Sequence, residues 1–290
     1  MFKFNFHDPD ETDGSAVSDG TRQEGNNAST GPSQWLTANE IFPSSELIER
    51  YKSVCTFPCG KYHLKHIPFD EAMKDLSEIT TGEFIAEAEL LHSDLLPGKY
   101  EGGLKIWECT RDLADFMIRE GIDLTGKHVL DLGCGTGLLG ILAMHLGAES
   151  VHFQDYNASV IRAATIPNVM LNTSQLRQDG TMPSARFFSG DWKDFADLFS
   201  TELLANNKYD CILTSETIYN PDSHQKLLSV FNACLGTCGV IYLAAKVCYF
   251  GVGGGIRQFQ TLLTDDSSFQ SKVCWTCSQG VQREILKITF

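Results

Sequence analysis

From Ile106 onward the apolar positions alternate between a helical and an extended period. In IWECTRDLADFMIREG, Ile106, Leu113, Phe116, Met117 and Ile118 share one helix face, and Gly121 is placed to stop it. HVLDL (128–132) predicts a short buried strand, and the glycine-rich stretch after it opens a helix, TGLLGILAMHLG. VHFQD predicts a second strand and NASVIRAATIPNVMLN a helix broken near Pro167. ARFFSGDW and YDCILTSE are the third and fourth strands, a helix runs from about 222 to 234, and VIYLAA is the fifth strand. SKVCWTC and REILKITF, with Ser-Gln-Gly between them, predict an antiparallel hairpin at the sheet edge. Alternating units of this length give an α/β fold, a mostly parallel sheet with helices on both faces.

The first third of the chain has no such rhythm. Residues 8–34 are rich in Asp, Ser, Gly, Thr and Asn, which cannot bury enough surface to offset ordering entropy. They predict a disordered acidic tail over 1–34. Residues 35–92 form an extension in which apolar residues return from Trp35 to about Lys65, while Pro43, Pro58 and Gly60 break any long element. Short helical pieces are expected within 70–92, and the α/β domain occupies 93–290.

Composition narrows the class. The net charge is −14, from 23 basic and 37 acidic residues, and no basic stripe is present, which argues against direct nucleic-acid binding and suits either attraction of a basic protein partner or solubility alone. The longest apolar run, Val240 to Ala245, is too short to span a bilayer, so no membrane association is expected. The opening residues turn acidic before any signal region forms, so a location in the cytoplasm or nucleus is expected. Ten cysteines in such a compartment behave as small buried hydrophobes. Cys274 and Cys277 have redox or zinc spacing, but a strand points them to opposite faces and no second pair follows, so no metal site is expected; Cys55 and Cys59 are treated alike.

The chemistry is concentrated in VLDLGCGTGLLG (129–140), which parses in two ways. From Gly135 it is a dinucleotide fingerprint, Gly135-x-Gly137-x-x-Gly140. From Asp131 it is Asp131-x-Gly133-x-Gly135-x-Gly137, a loop for S-adenosylmethionine. A pyrophosphate is anionic and repels a nearby carboxylate, whereas S-adenosylmethionine carries an ammonium and a sulfonium, so Asp131 favours the second.

With GKYEGGLKIWECTRDL, HFQDYN, SGDW, TSETIYN and AKVCYFGVGGG in this order, the chain from about 90 to 290 resembles the protein-histidine methyltransferases, members of the seven-strand group that modifies proteins. The resemblance implies a Rossmann-like seven-stranded sheet, S-adenosylmethionine as cofactor, and methylation of a histidine ring in a protein, a ribosomal protein of the large subunit. It also implies a monomer of cytoplasm and nucleus, the nucleolus included.

It further implies that Ile106, Trp107, Glu108, Cys109 and Thr110 cover the methionine end, and that Gly133, Gly135 and Gly137 line the amino-acid portion. Gln154, Asp155 and Tyr156 would hold the ribose, and Gly190, Asp191 and Trp192 the adenine. Ser215 or Thr217 would touch the cofactor near the methyl, with Glu216 and Tyr219 beside the acceptor. Plainer roles stay open: Trp107, Trp192 and Tyr219 as packing aromatics, and Asp155 as a helix cap. GVGGG (251–255) is either a lid or a turn needing positive φ. Methyl transfer needs alignment more than acid–base work. A lysine acceptor must first lose a proton, while an imidazole is mostly neutral near pH 7 and needs only orientation, which Glu216 could supply by accepting the far ring N–H. A lysine methyltransferase of the same fold, a non-catalytic module that binds the cofactor, and a nicotinamide oxidoreductase are the competing readings.

Overall fold

The protein is described here as a computed structural model covering residues 36–43, 51–79, 99–176, 184–201 and 208–290. The predicted tail over 1–34 and residues 80–92 of the extension lie outside these.

The α/β order follows the hydrophobic pattern. The parallel strands are β4 (His128–Leu132), β5 (Ser150–Asp155), β6 (Ser184–Ser189), β7 (Tyr209–Ser215) and β8 (Leu235–Lys246). β9 (Gln270–Cys277) and β10 (Arg283–Thr289) close the chain. The extension contributes β1 (Asn39–Ile41), and the eight-stranded order is β1-β6-β5-β4-β7-β8-β10-β9. The seven strands expected are therefore joined by an eighth, antiparallel to β6. The C-terminal hairpin inserts β10 antiparallel to β8 and leaves β9 at the edge.

Side chains alternate across the sheet. Val129, Val151, Phe153 and Leu213 face α2 (Glu108–Arg119), α3 (Leu138–His145) and α4 (Ile166–Leu176). Leu130, Leu132, Ile212 and Leu243 face α5 (Trp192–Thr201), α6 (His224–Cys234) and α7 (Ile256–Asp266). The break near Pro167 is a π turn over Ile161–Thr165 leading into α4. Pro167 offers no N–H, and the carbonyl of Ala163, four residues back, accepts from the Tyr51 hydroxyl at 3.1 Å.

The extension holds a hairpin where the sequence predicted only interruptions: β2 (Cys55–Cys59) and β3 (Tyr62–His66), turning at Gly60. Pro58 is tolerated because a two-stranded ribbon is all edge. α1 (Phe69–Ile79) follows. Phe57, Cys59 and Leu64 join the core beneath α2, and Asn172 of α4 brackets Lys65, accepting from its N–H at 2.9 Å and donating to its carbonyl at 2.8 Å. All ten cysteines are free, no His/Cys/Asp/Glu cluster among the described residues suits a metal, and no described helix is long and apolar enough to cross a membrane.

Candidate functional site

The chain steps outward from β4 to β5 and β6, then returns to β7 on the other side of β4. A crevice opens at such a reversal, above the carboxyl ends of the strands. A cleft of about 840 Å³, counting its part open to solvent, lies there. Four strand ends supply its walls: Gly133 and Gly135 after β4, Asp155 and Tyr156 at β5, Asp191 and Trp192 after β6, and Ser215, Glu216 and Thr217 at β7. Trp107, Thr110 and Tyr219 complete the predicted residues that the fold brings together.

The glycine loop is pinned from three sides. Gly135 donates its N–H to Asp155 Oδ2 at 2.9 Å, and its carbonyl accepts from the Thr165 hydroxyl at 2.6 Å. A Cβ at Gly135 would lie 2.6 Å from the carbonyl oxygen of Gly103, and one at Gly133 would lie 2.6 Å from Thr217 Cγ2. The loop surface therefore stays flat, as close approach of a ligand requires. Asp155 also accepts from the Asn157 N–H at 3.1 Å, so the helix-cap role foreseen for it coexists with a place on the wall. The Tyr156 N–H adds a third backbone donor, so of the roughly four acceptor positions of a carboxylate about one is left for a ligand.

Seven predicted residues do not line the cleft. Asp131 is the instructive correction: it is buried under the start of α3, accepts the Gly140 N–H at 2.8 Å, and does not reach the cleft wall. Gln154 does not line the cleft; it donates to the Gly190 carbonyl at 2.8 Å and accepts from Trp192 Nε1 at 3.0 Å, which orients the Trp192 ring. Gly190 sits against the backbone of Thr37 and Ala38, and Gly137 against Thr165 and Phe153. Ile106 packs on the core, Glu108 turns to Lys246, and Cys109 is fully buried. Asp191 is on the wall, but Lys226 at 2.7 Å and the Lys193 N–H at 2.9 Å already engage its two oxygens.

Sequence reasoning passed over Glu101, Gly103, Lys105, Thr136 and Leu139, all on the wall. Glu101 accepts from the Tyr219 hydroxyl, and Trp107 Nε1 donates to the Gly102 carbonyl at 3.1 Å. The pair Gly102–Gly103 just before IWECT was the available signal. The extension also reaches the site, since the Leu36 carbonyl accepts the Asp191 N–H at 2.8 Å. The GVGGG stretch is a turn: Gly251, Gly253 and Gly255 have φ of 83°, 93° and 148°.

Glu216 sits at φ 59°, in the left-handed region that a non-glycine residue occupies only when held there. Its carboxylate accepts from the Tyr249 hydroxyl at 2.5 Å and the Cys109 N–H at 3.4 Å, and Lys246 Nζ lies 3.5 Å away. The Thr110 and Ser215 hydroxyls meet at 2.9 Å beside it.

Burial dominates two further acids. It pushes Asp131 up to about 8, against the Gly140 N–H that lowers it, and Asp155 up to about 6, against the Asn157 and Gly135 N–H groups. Both lie above the ordinary 3.8, so their contribution to stability is present below about pH 4 and is lost as pH rises through 6 and then 8. A cationic ligand reverses this preference by favouring the ionised forms. Affinity for S-adenosylmethionine is therefore expected to rise between about pH 6 and 8, by at most about tenfold per unit for each proton released. Titration calorimetry in two buffers of different ionisation enthalpy checks it. S-adenosylhomocysteine, without the sulfonium, should show a shallower slope, and equal slopes would remove the acids from the account.

The fold and cleft define a class: Rossmann-like methyltransferases that use S-adenosylmethionine. The cleft fits that cofactor in its flat glycine cradle, its acidic wall and the carboxylate at the end of β5. The lysine methyltransferase family model matches residues 97–249, and the chain belongs to that family. Proteins named histidine protein methyltransferase 1 homolog from Bos taurus and Dictyostelium discoideum are 42% and 45% identical, over 74% and 68% of this chain. The chain spans 62% and 60% of their lengths. EEF1A lysine methyltransferase 3 of Mus musculus is 26% identical over 49% of this chain and 55% of its own. Among solved structures, a putative S-adenosylmethionine-dependent methyltransferase from Streptococcus mutans superposes with a TM-score of 0.53 at 13% identity, covering 82% of this chain and 55% of the other.

Proposed function

We propose that the protein is a protein-histidine N-methyltransferase. The observation that carries histidine over lysine is the identity of 42–45% to relatives named for histidine, against 26% to one named for lysine. The acceptor side of the cleft supports it. The Tyr249 hydroxyl and the Cys109 N–H hold Glu216 and the Lys246 ammonium pairs with it at 3.5 Å, which still leaves an acceptor position for a further N–H.

When bound, S-adenosylmethionine supplies a sulfonium methyl open to in-line displacement. Glu216 accepts the N–H of the imidazole nitrogen that does not react, which selects the tautomer with its lone pair on the other nitrogen. Tyr219, tied to Glu101, and Thr110 with Ser215 narrow the space in which the ring lies. The positive charge that the ring acquires forms next to a carboxylate, and its N–H proton then passes to solvent. The substrate is a basic protein, by this reading one of the large ribosomal subunit; a net charge of −14 favours such a partner.

A rate–pH profile at subsaturating acceptor tests the proposal. A neutral imidazole gives a rate that rises through about pH 6–7 and levels above about 7.5. A rate still climbing above about pH 8.5 would mean an amine acceptor.

A further inference from the structure

The last residue of β8, Lys246, is 2% exposed, and lysine is almost never that buried unless paired. It does not line the cleft. Its ammonium lies 3.2 Å from Glu108 Oε2 and 3.5 Å from Glu216 Oε1. It also lies over two rings, 5.5 Å from the centroid of Trp107 and 5.6 Å from that of Tyr249. These partners come from three separate segments: the start of α2, the end of β7 and the turn after β8. The Tyr249 hydroxyl, which donates to Glu216, also accepts from the Lys246 backbone N–H at 3.3 Å.

A buried ion pair contributes little net stability compared with well-packed apolar residues, whereas removing one partner is costly. What the ammonium adds here is direction. Glu216 stands in a left-handed conformation tied through its N–H to the Ala244 carbonyl at 2.9 Å, and its carboxylate meets Lys246, Tyr249 and the Cys109 N–H, none of which lines the cleft. We propose that Lys246 is a positioning residue: its ammonium fixes the Glu216 carboxylate in the orientation that presents one oxygen position to the acceptor ring. This rests on the reading of Glu216 as the group that orients the acceptor.

The test compares Lys246→Met, Glu216→Gln and the double variant, using methyl-tritiated S-adenosylmethionine and dialysed protein extract from cells lacking the enzyme. Lys246→Met is expected to lower kcat by about a hundredfold, the scale of a misplaced reacting group. Its Kd for S-adenosylmethionine should stay within about twofold, because the side chain is off the wall. The double variant should turn over no more slowly than Glu216→Gln alone, since Lys246 acts only through that carboxylate. A folded Lys246→Met enzyme with unchanged kcat, or losses that multiply in the double variant, would overturn the proposal. If Lys246→Met does not fold, the comparison of Glu216→Gln with the double variant decides by the same criterion. Hydrolysates keep the two readings apart: methyllysine with the same pattern of variants sustains Lys246 and overturns only the histidine acceptor.

Discussion

Gly135→Ala is expected to weaken S-adenosylmethionine binding by about a hundredfold while leaving a folded protein. The new methyl carbon would lie 2.6 Å from the Gly103 carbonyl oxygen and 3.4 Å from its carbonyl carbon, backbone atoms that cannot rotate away. Gly135 is itself held, by Asp155 at its N–H and Thr165 at its carbonyl, so it has no slack in which to retreat. Its φ of 50° adds strain for any residue with a Cβ. Gly103 must yield instead, and with it the Glu101–Trp107 segment that forms one side of the cleft. The combined cost of about 3 kcal/mol corresponds to roughly two decades in affinity. Calorimetric Kd values, with circular dichroism to show the fold retained, check it. An affinity within about threefold of the parent would show that this loop does not cradle the cofactor.

The second large effect falls on turnover rather than binding. A Cβ on Gly254 would lie 2.2 Å from the Ile218 carbonyl oxygen and 2.3 Å from that of Tyr219. Gly254 donates its N–H to that same Tyr219 carbonyl at 2.9 Å and accepts from the Tyr249 N–H at 2.9 Å. The turn after β8 is thus a clamp on the loop that follows β7, and alanine there must push Tyr219 and its link to Glu101 out of place. Displacement of this kind costs about a hundredfold in kcat, with cofactor affinity little altered. Single-turnover rates alongside Kd values separate the two, and a loss confined to Kd would assign the turn to the cofactor instead.

Much of the fold was legible in the sequence because its signals are local. The strand–glycine loop–helix over 128–145, the acid at the end of β5 and the Glu-Thr-Ile-Tyr run after β7 each announce themselves within a dozen residues. What was not legible depends on distance along the chain. β1 is three residues without a period, made a strand by pairing with β6 some 146 residues later, where Glu40 also grips Arg186 at 2.8 Å. The charge of Asp131 points to a cationic ligand, but its strand position aims it beneath α3, which a motif does not show. Glu216 was singled out while its partners Lys246 and Tyr249 were not, because a long apolar strand ending in lysine gives no sign that the ammonium turns inward.

The central claim is that a ring nitrogen of histidine takes the methyl group. The most direct measurement is to incubate the full chain with isotopically labelled S-adenosylmethionine and basic proteins from cells lacking the enzyme, then hydrolyse them fully and separate the labelled amino acids. Label recovered as methylhistidine, and lost when Asp155→Ala removes the carboxylate from the cleft wall, is the result predicted here. Label recovered as methyllysine would contradict it and leave only the methyltransferase fold and its cofactor standing.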